Sequence, residues 1–251
     1  METTISPLPA PGARIMVTGG ARGIGRAIAD AFAARGARVC ILDRDAMPQA
    51  PAGWLCVAGS VADEAAVEAA FAAMDAAWGG VDVAMANAGF SMNTPTLDLS
   101  VADWRRTVDV NLTGAFLTAQ AAGRRMVRDG AGLVLFTSSL YGSVGGAERA
   151  AYCATKAAVA NLARALACEW GPAGVRVNAL APGYTETDLV ADLVARGRLD
   201  AGRLAARAPL KRLVQPEEVA ALACFLASPA ASAITGAVLP VDAGWAANGA
   251  P

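Results

Sequence analysis

The sequence predicts a doubly wound α/β fold, a seven-stranded parallel sheet with helices on both faces. Two observations carry this. Seven short runs are apolar throughout instead of alternating, as strands covered on both sides must be. Between them lie longer, Ala-rich stretches with apolar residues at i, i+3 and i+4, the helical period. Strands of the first kind joined by helices of the second are parallel crossovers. The chain has 251 residues, 55% of them hydrophobic and 17% charged. That length suits one core, near the upper size of roughly 250–300 residues for a single domain, so 1–251 is expected to fold as one unit.

Taken in order, "RIMVTG" (14–19) is the first strand, and a helix follows near 23–36. "ARVCILD" (37–43) and "GWLCVAG" (53–59) are the second and third strands. The segment between them, "RDAMPQAPAG" (44–53), is too short and proline-rich for a full helix and predicts a turn or one short helical piece. A helix over 62–78 leads to "VDVAMANAG" (81–89), a long one over 101–129 to "GLVLFTSS" (132–139), and a third over 151–171 to "VRVNALAPG" (175–183). A last helix over 215–227 precedes "GAVLPVD" (236–242). The remaining stretch, 184–212, is polar and irregular, and a long segment of that kind is expected to serve as a substrate lid.

Composition narrows the function. Net charge is −1 with both signs interspersed, which leaves no footprint for nucleic acid or an anionic membrane. Neither a leader-like apolar run in "METTISPLPAPGAR" nor a membrane span of ~18–20 residues is present, so a cytoplasmic location is expected. The five cysteines lack CxxC spacing; they are expected to be reduced, mostly buried, and to hold no metal. Histidine is absent. That excludes Ser-His-Asp and Cys-His nucleophiles and His-ligated metal hydrolases, and leaves proton transfer to carboxylate, tyrosine, lysine or the hydroxyls of a cofactor.

"TGGARGIG" (18–25) joins the first strand to the first helix and spends Gly19, Gly23 and Gly25 on one turn, with Gly20 also bare. Glycine there allows a tight turn and lets helix N-terminal amides face a pyrophosphate. The spacing is not GxGxxG, so this turn alone is weak evidence. "YCATK" places Tyr152 and Lys156 on one helical face. Ser139 ends a strand, and Asn111 is a polar amide inside an apolar helical stretch. The second strand ends in Asp43, close to the ~20-residue offset at which a carboxylate accepts from the adenosine ribose. It favours NAD and repels the 2′-phosphate of NADP, while Arg22 and Arg44 on either side argue the other way.

Together these motifs, with "NAG" (87–89) and "PGYTET" (182–187), resemble the short-chain dehydrogenase/reductase family in its single-domain form, over about residues 12–245. The resemblance implies a Rossmann fold and an NAD(P)-dependent enzyme acting on a CH–OH group, with Asn111, Ser139, Tyr152 and Lys156 as its catalytic tetrad. It implies Thr18, Gly19, Gly23, Ile24 and Gly25 at the pyrophosphate and Asn87, Ala88 and Gly89 under the adenosine ribose. Thr185 and Thr187, after Pro182 and Gly183, would hold the nicotinamide carboxamide, and Lys156 would also contact its ribose. Where relatives often carry Asp after the third strand, this chain has Ser60, so adenine contacts would rest on Ser60 and the backbone of Val61.

In this scheme Tyr152 takes the hydroxyl proton as phenolate. A Lys156 ammonium about 4 Å away would favour that form by roughly 4 kcal/mol, bringing the phenol from near 10 toward 7. Ser139 would steady the substrate oxygen, and Asn111 would hold a water relaying protons from Lys156. Ser91, Asn93, Tyr141, Glu148, Arg149 and Tyr184 are expected to face substrate, with Glu148 and Arg149 equally able to pair with each other. Their polarity points to a polyol, sugar or similar secondary alcohol, with a 3-oxoacyl thioester as the alternative. An NAD-sensing regulatory protein is the non-enzymatic reading. Apolar stripes on helices 101–129 and 151–171, together with the family precedent, imply a homotetramer.

Overall fold

The structure, a computed structural model, describes residues 10–47, 49–197 and 199–248. The N-terminal stretch 1–9, on which the absence of a leader was judged, lies outside these. Seven parallel strands form one sheet in the order β3-β2-β1-β4-β5-β6-β7: β1 (Arg14–Thr18), β2 (Arg38–Asp43), β3 (Leu55–Ala58), β4 (Val83–Ala86), β5 (Gly132–Thr137), β6 (Val175–Pro182) and β7 (Val238–Val241). Each falls within its predicted run, shorter by a residue or more. The helices are α1 (Gly23–Ala33), α2 (Glu64–Trp78), α3 (Val101–Val108), α4 (Gly114–Asp129), α5 (Ala150–Trp170), α6 (Asp188–Ala195), α7 (Ala201–Arg207) and α8 (Pro216–Leu226).

Side chains alternate across the sheet, so each strand feeds two cores. Met16, Leu42 and Phe136 join Phe71 of α2, Met126 of α4 and Val159 of α5 on one face. Ile15, Val17 and Leu135 join Phe32 of α1 and Val219 of α8 on the other. Strand order reverses between β1 and β4, the topological switch point at which the carboxyl ends of neighbouring strands splay and leave a crevice.

Three expectations change. The predicted helix over 101–129 is two α-helices joined by a π turn at Asp109–Thr113, which contains Asn111. The segment 184–212 is not irregular: it carries α6 and α7, whose N-caps Thr187 and Asp200 accept from the amides of Val190 (3.4 Å) and Arg203 (2.9 Å). The described residues of 44–53 form turns and no helix, the first of the two forms expected. The thiols are not mostly buried, since Cys40 and Cys224 are buried while Cys56 and Cys168 are exposed, all five being free. Among the described residues no helix is long and apolar enough to cross a membrane.

Candidate active site

A cleft of about 1570 Å³ opens above the switch point, from Asp43 at one end to Tyr152, Tyr184 and Leu193 at the other. That exceeds the ~300–1,000 Å³ of a pocket for one drug-sized ligand, leaving room for a dinucleotide beside a second molecule.

Its floor is the glycine turn. Gly19 and Gly23 adopt φ of +66° and +58°, a left-handed backbone that side chains resist. A Cβ on Gly25 would fall 2.2 Å from the Gly19 carbonyl oxygen, and one on Gly19 would fall 2.8 Å from Ala88 Cα. At α1, the N-cap Arg22 makes no side-chain cap bond and the first turn has no acidic residue, so the N-terminal amides are open to an anion. Ile24 and Thr187 close on this turn; Thr187 Cγ2 lies 3.5 Å from the position a Gly23 Cβ would take. Bare backbone and an open helix N-terminus at the head of the cleft fit the pyrophosphate of a dinucleotide.

Asn87 and Thr18 brace this end. Thr18 Oγ1 accepts from the amides of Asn87 (3.0 Å) and Ala88 (3.2 Å). Asn87 Nδ2 donates to the carbonyls of Thr18 and Gly19, each at 3.1 Å, and its Oδ1 accepts from Thr137 Oγ1 at 3.0 Å. The Asn87 amide therefore ties β1 to β5, and Asn87 lines the cleft with Ala88 and Gly89. Asp43 does point inward, and its Oδ2 accepts from Ala21 N–H at 2.9 Å, fixing the glycine turn to β2. Arg22 and Arg44 both pair with Asp45, at 3.6 and 3.5 Å, a carboxylate that the sequence reading passed over. Ser60 caps its own turn through Ala62 N–H (3.2 Å), and Val61 packs where a Gly114 Cβ would stand; both line the cleft.

Tyr152, Ser139, Lys156 and Asn111 meet at the other end. Lys156 is buried on α5, and its Nζ donates to the Thr137 carbonyl at 2.7 Å while lying 5.7 Å from the Tyr152 ring centroid. Asn111 pairs with both polar groups of Phe90: Oδ1 accepts its N–H (3.0 Å) and Nδ2 donates to its carbonyl (2.9 Å). The π turn supplies the offset that points this amide inward, a common use of such turns. Gly89 keeps a gap between two of these groups, since a Cβ there would lie 3.1 Å from Asn111 Oδ1 and 3.4 Å from Lys156 Nζ.

Electrostatics here correct the expectation of a phenol near 7. Burial pushes the Tyr152 phenol above its ordinary value, opposed by a hydrogen bond with Ser139 and by the charge of Arg149. Burial also lowers the Lys156 ammonium to about 8. In a low-dielectric site both groups are driven toward their neutral forms.

The substrate end is less polar than its residue types suggest. Tyr141 and Tyr184 bond to each other through their hydroxyls at 2.7 Å, and burial raises the Tyr141 phenol further from ionisation. Their rings stand edge-on against each other and lean on Trp245, a buried residue that sequence reading missed. Glu148 is exposed, outside the cleft lining, and serves through its backbone, its carbonyl accepting from Thr94 N–H at 2.9 Å. It does not pair with Arg149, whose Nη1 donates to Ser91 Oγ at 3.0 Å and whose Cζ lies 5.0 Å above the Tyr141 ring. Asn93 lies beside Ser91, and Val190, Leu193 and Leu199 line the cleft on an apolar side. Tyr184 follows Pro182 and Gly183 at the end of β6, and Thr185 is buried behind it.

A family model described as enoyl-(acyl carrier protein) reductase matches residues 19–246. The cis-4-hydroxycyclohexanecarboxylate dehydrogenase of Sinomonas cyclohexanicum is 44% identical over 92% of this chain and 96% of its own. The 3-oxoacyl-[acyl-carrier-protein] reductase MabA of Mycobacterium tuberculosis is 41% identical over 92% of this chain and 91% of its own. A solved structure of Thermoplasma acidophilum aldohexose dehydrogenase superposes with a TM-score of 0.90 at 30% identity, covering 96% of each chain. With its parallel seven-stranded sheet, glycine turn and Ser139, Tyr152 and Lys156 around one cleft, the chain belongs to the short-chain dehydrogenase/reductase family, oxidoreductases of a Rossmann fold.

Proposed function

We propose that the chain is an NAD-linked dehydrogenase that interconverts a small secondary alcohol bearing further polar groups and its ketone. The observation that carries the reading is the meeting of Ser139, Tyr152 and buried Lys156 at the end of a cleft whose other end is Asp43. A bound nicotinamide would supply the hydride acceptor for the carbinol carbon. Gly19, Gly23, Ile24 and Gly25 would hold its pyrophosphate, Asp43 its adenosine ribose, and Thr185 and Thr187 its carboxamide.

Within the chain, Ser139 donates to the substrate oxygen and Tyr152 takes or gives the hydroxyl proton. Lys156, fixed by the Thr137 carbonyl, opposes the phenolate's charge as it forms. Asn111 Oδ1 and Lys156 Nζ face the same bare Gly89, the room assigned to a relaying water. Ionisation of Tyr152 next to an ammonium creates an ion pair, so the positive charge of Lys156 is needed only when the negative one appears. We also assign the chain to a homotetramer: after the core is formed, Trp104 and Phe116 remain 40% and 39% exposed on α3 and α4.

A second reading, reduction of a 3-oxoacyl thioester, has the family model and the MabA relative in its favour. The two are separated by absorbance at 340 nm, NAD with a panel of secondary alcohols against NADH or NADPH with an acetoacetyl thioester. Tyr152→Phe is expected to lower turnover of the accepted substrate by more than about 100-fold, as loss of a general acid–base does, with NAD binding retained. Turnover above a few per cent of wild type in that variant would refute the assignment of Tyr152.

A further inference from the structure

We infer that the substrate is a hydroxy acid, its carboxylate held by Arg149 and its hydrocarbon skeleton laid against the Tyr141 and Tyr184 rings. This rests on the dehydrogenase reading above and narrows it. Arg149 precedes the first turn of α5, and Tyr152 follows in that turn, so one helix end presents both to the cleft. They also share a neighbour: Arg149 Cζ lies 5.0 Å from the Tyr141 ring centroid, and the Tyr141 and Tyr152 rings are 6.4 Å apart in an edge contact.

Two properties of this end of the cleft select the substrate class. The first is a cation without an anion. Among the described residues Arg149 makes no ion pair; its guanidinium, with five donors, has the Ser91 hydroxyl as its hydrogen-bond partner. The adjacent carboxylate, Glu148, is exposed, and its backbone sits at a φ of +61°, held by the bond from Thr94. A guanidinium in a partly desolvated cleft is completed best by a carboxylate, which it binds with two parallel hydrogen bonds.

The second property is the apolar wall beside the proton-transferring groups. The Tyr141 and Tyr184 hydroxyls bond to each other, which leaves one O–H between them to donate, and the Tyr141 amide is bonded to Ser139 Oγ. The lining includes the Tyr141 and Tyr184 rings and the aliphatic side chains of Met92, Val190 and Leu193, with Ser91 and Asn93 at a polar margin. A polyol would set several hydroxyls against that wall, each at a penalty where it finds no partner. A saturated skeleton with one hydroxyl and one carboxylate sets none there.

The test compares kcat/KM in the NAD assay for 4-hydroxycyclohexanecarboxylate, its methyl ester, cyclohexanol, gluconate and galactitol. The acid is expected to exceed the ester and cyclohexanol by about three- to tenfold, as for a charge-assisted, two-bond contact to a half-buried guanidinium. In Arg149→Met the acid-to-ester ratio should fall to near unity, mostly through KM, and Arg149→Lys should restore part of it. Should the variants fail to fold, wild type still decides: cyclohexanecarboxylate should compete with the alcohol and cyclohexanecarboxamide should not. Preference for galactitol or the ester, equal inhibition by acid and amide, or an unchanged ratio in Arg149→Met would overturn the inference and leave the dehydrogenase standing. Gluconate outperforming the cyclic acid would overturn the apolar skeleton while keeping the carboxylate on Arg149. If no alcohol is oxidised with NAD or NADP, the dehydrogenase reading itself fails, and this inference with it.

Discussion

Lys156→Met should make the protein more stable while removing its activity. Lys156 is 4% exposed, and burial lowers its pKa from 10.5 to about 8. At about 1.4 kcal/mol per pKa unit, keeping the charged form inside costs the folded state roughly 3–4 kcal/mol. The bond from Nζ to the Thr137 carbonyl offsets roughly 1–2 kcal/mol of this, being made by a charged donor. Methionine keeps the unbranched stem and drops the charge, so the variant should gain about 2 kcal/mol at pH 7. For a chain of this size that raises Tm by about 4–8 °C. The gain must also depend on pH. Above 10.5 the lysine is neutral in both states and there is no penalty. As pH falls from 10.5 to 8, the unfolded chain takes up a proton that the folded chain refuses, and wild type loses stability until the full penalty is reached below 8. Thermal melts of both proteins from pH 6 to 10.5 should show a gap that is flat below 8 and closes above it. A variant less stable than wild type at pH 7, or a gap constant across the range, would refute this account of the buried lysine.

Three further outcomes are expected. The raised Tyr152 phenol keeps its proton through neutral pH, so kcat/KM for alcohol oxidation should climb as pH rises from 6 to 9 while ketone reduction should not; the opposite slopes would show that Tyr152 is not the proton carrier. NAD should give a higher kcat/KM than NADP, by about tenfold or more for a like-charge contact with Asp43. Asp43→Ala should narrow that ratio, and Asp45→Ala should narrow it by a few-fold by freeing Arg22 and Arg44, since exposed pairs are weak; unchanged ratios in both variants would remove β2 as the selector. Sedimentation should give a tetramer at micromolar concentration, and Trp104→Asp, on an exposed apolar side chain, should shift it to smaller species; a monomeric wild type would discard the assembly.

What the sequence made legible was the part set by short-range physics. Apolar runs gave all seven strands because a strand buried on both faces has nowhere to put a polar residue, and the glycine turn was readable because only glycine tolerates the Gly19 and Gly23 backbone. Asn111 stood out as a buried amide, yet the π turn that aims it is set by its bonds to Phe90, about twenty residues earlier, and no helical periodicity encodes them. The conformation of 184–212 was misjudged because α6 and α7 are each about two turns long, too short for a period to emerge. Residue type misled most where polar groups satisfy one another. Tyr141 and Tyr184 read as separate groups facing a substrate and bond to each other, which leaves one O–H between them, and the Asn87 side chain, read only as lying under a ribose, also braces β1 to β5. Trp245 left no trace beyond its size.

The same blindness to partners explains why the phenol was expected near 7. Proximity of Tyr152 and Lys156 is a property of helical spacing and was read correctly, but a pKa depends also on what water has been removed. Lys156 spends its donor on Thr137, and its burial weakens the very charge that would pull the phenol down. At neutral pH the pair is phenol with ammonium, and once one proton has left it, it is divided between two states of equal net charge: phenol with neutral amine, or phenolate with ammonium. Moving a proton between them creates or destroys a dipole and imports no net charge into the cleft, so its free energy is set by separation and by the bonds from Ser139 and to Thr137. Those bonds are what the β5–α5 junction fixes: Ser139 lies just past the end of β5, Thr137 ends that strand, and Ser138 between them donates to the Lys156 carbonyl at 2.8 Å. A change that loosens this junction without touching any of the four side chains, Ser138→Ala, should thus act on the proton step, lowering kcat more than it raises KM. An effect on KM alone would mean that the junction positions substrate and leaves the Tyr152–Lys156 balance untouched.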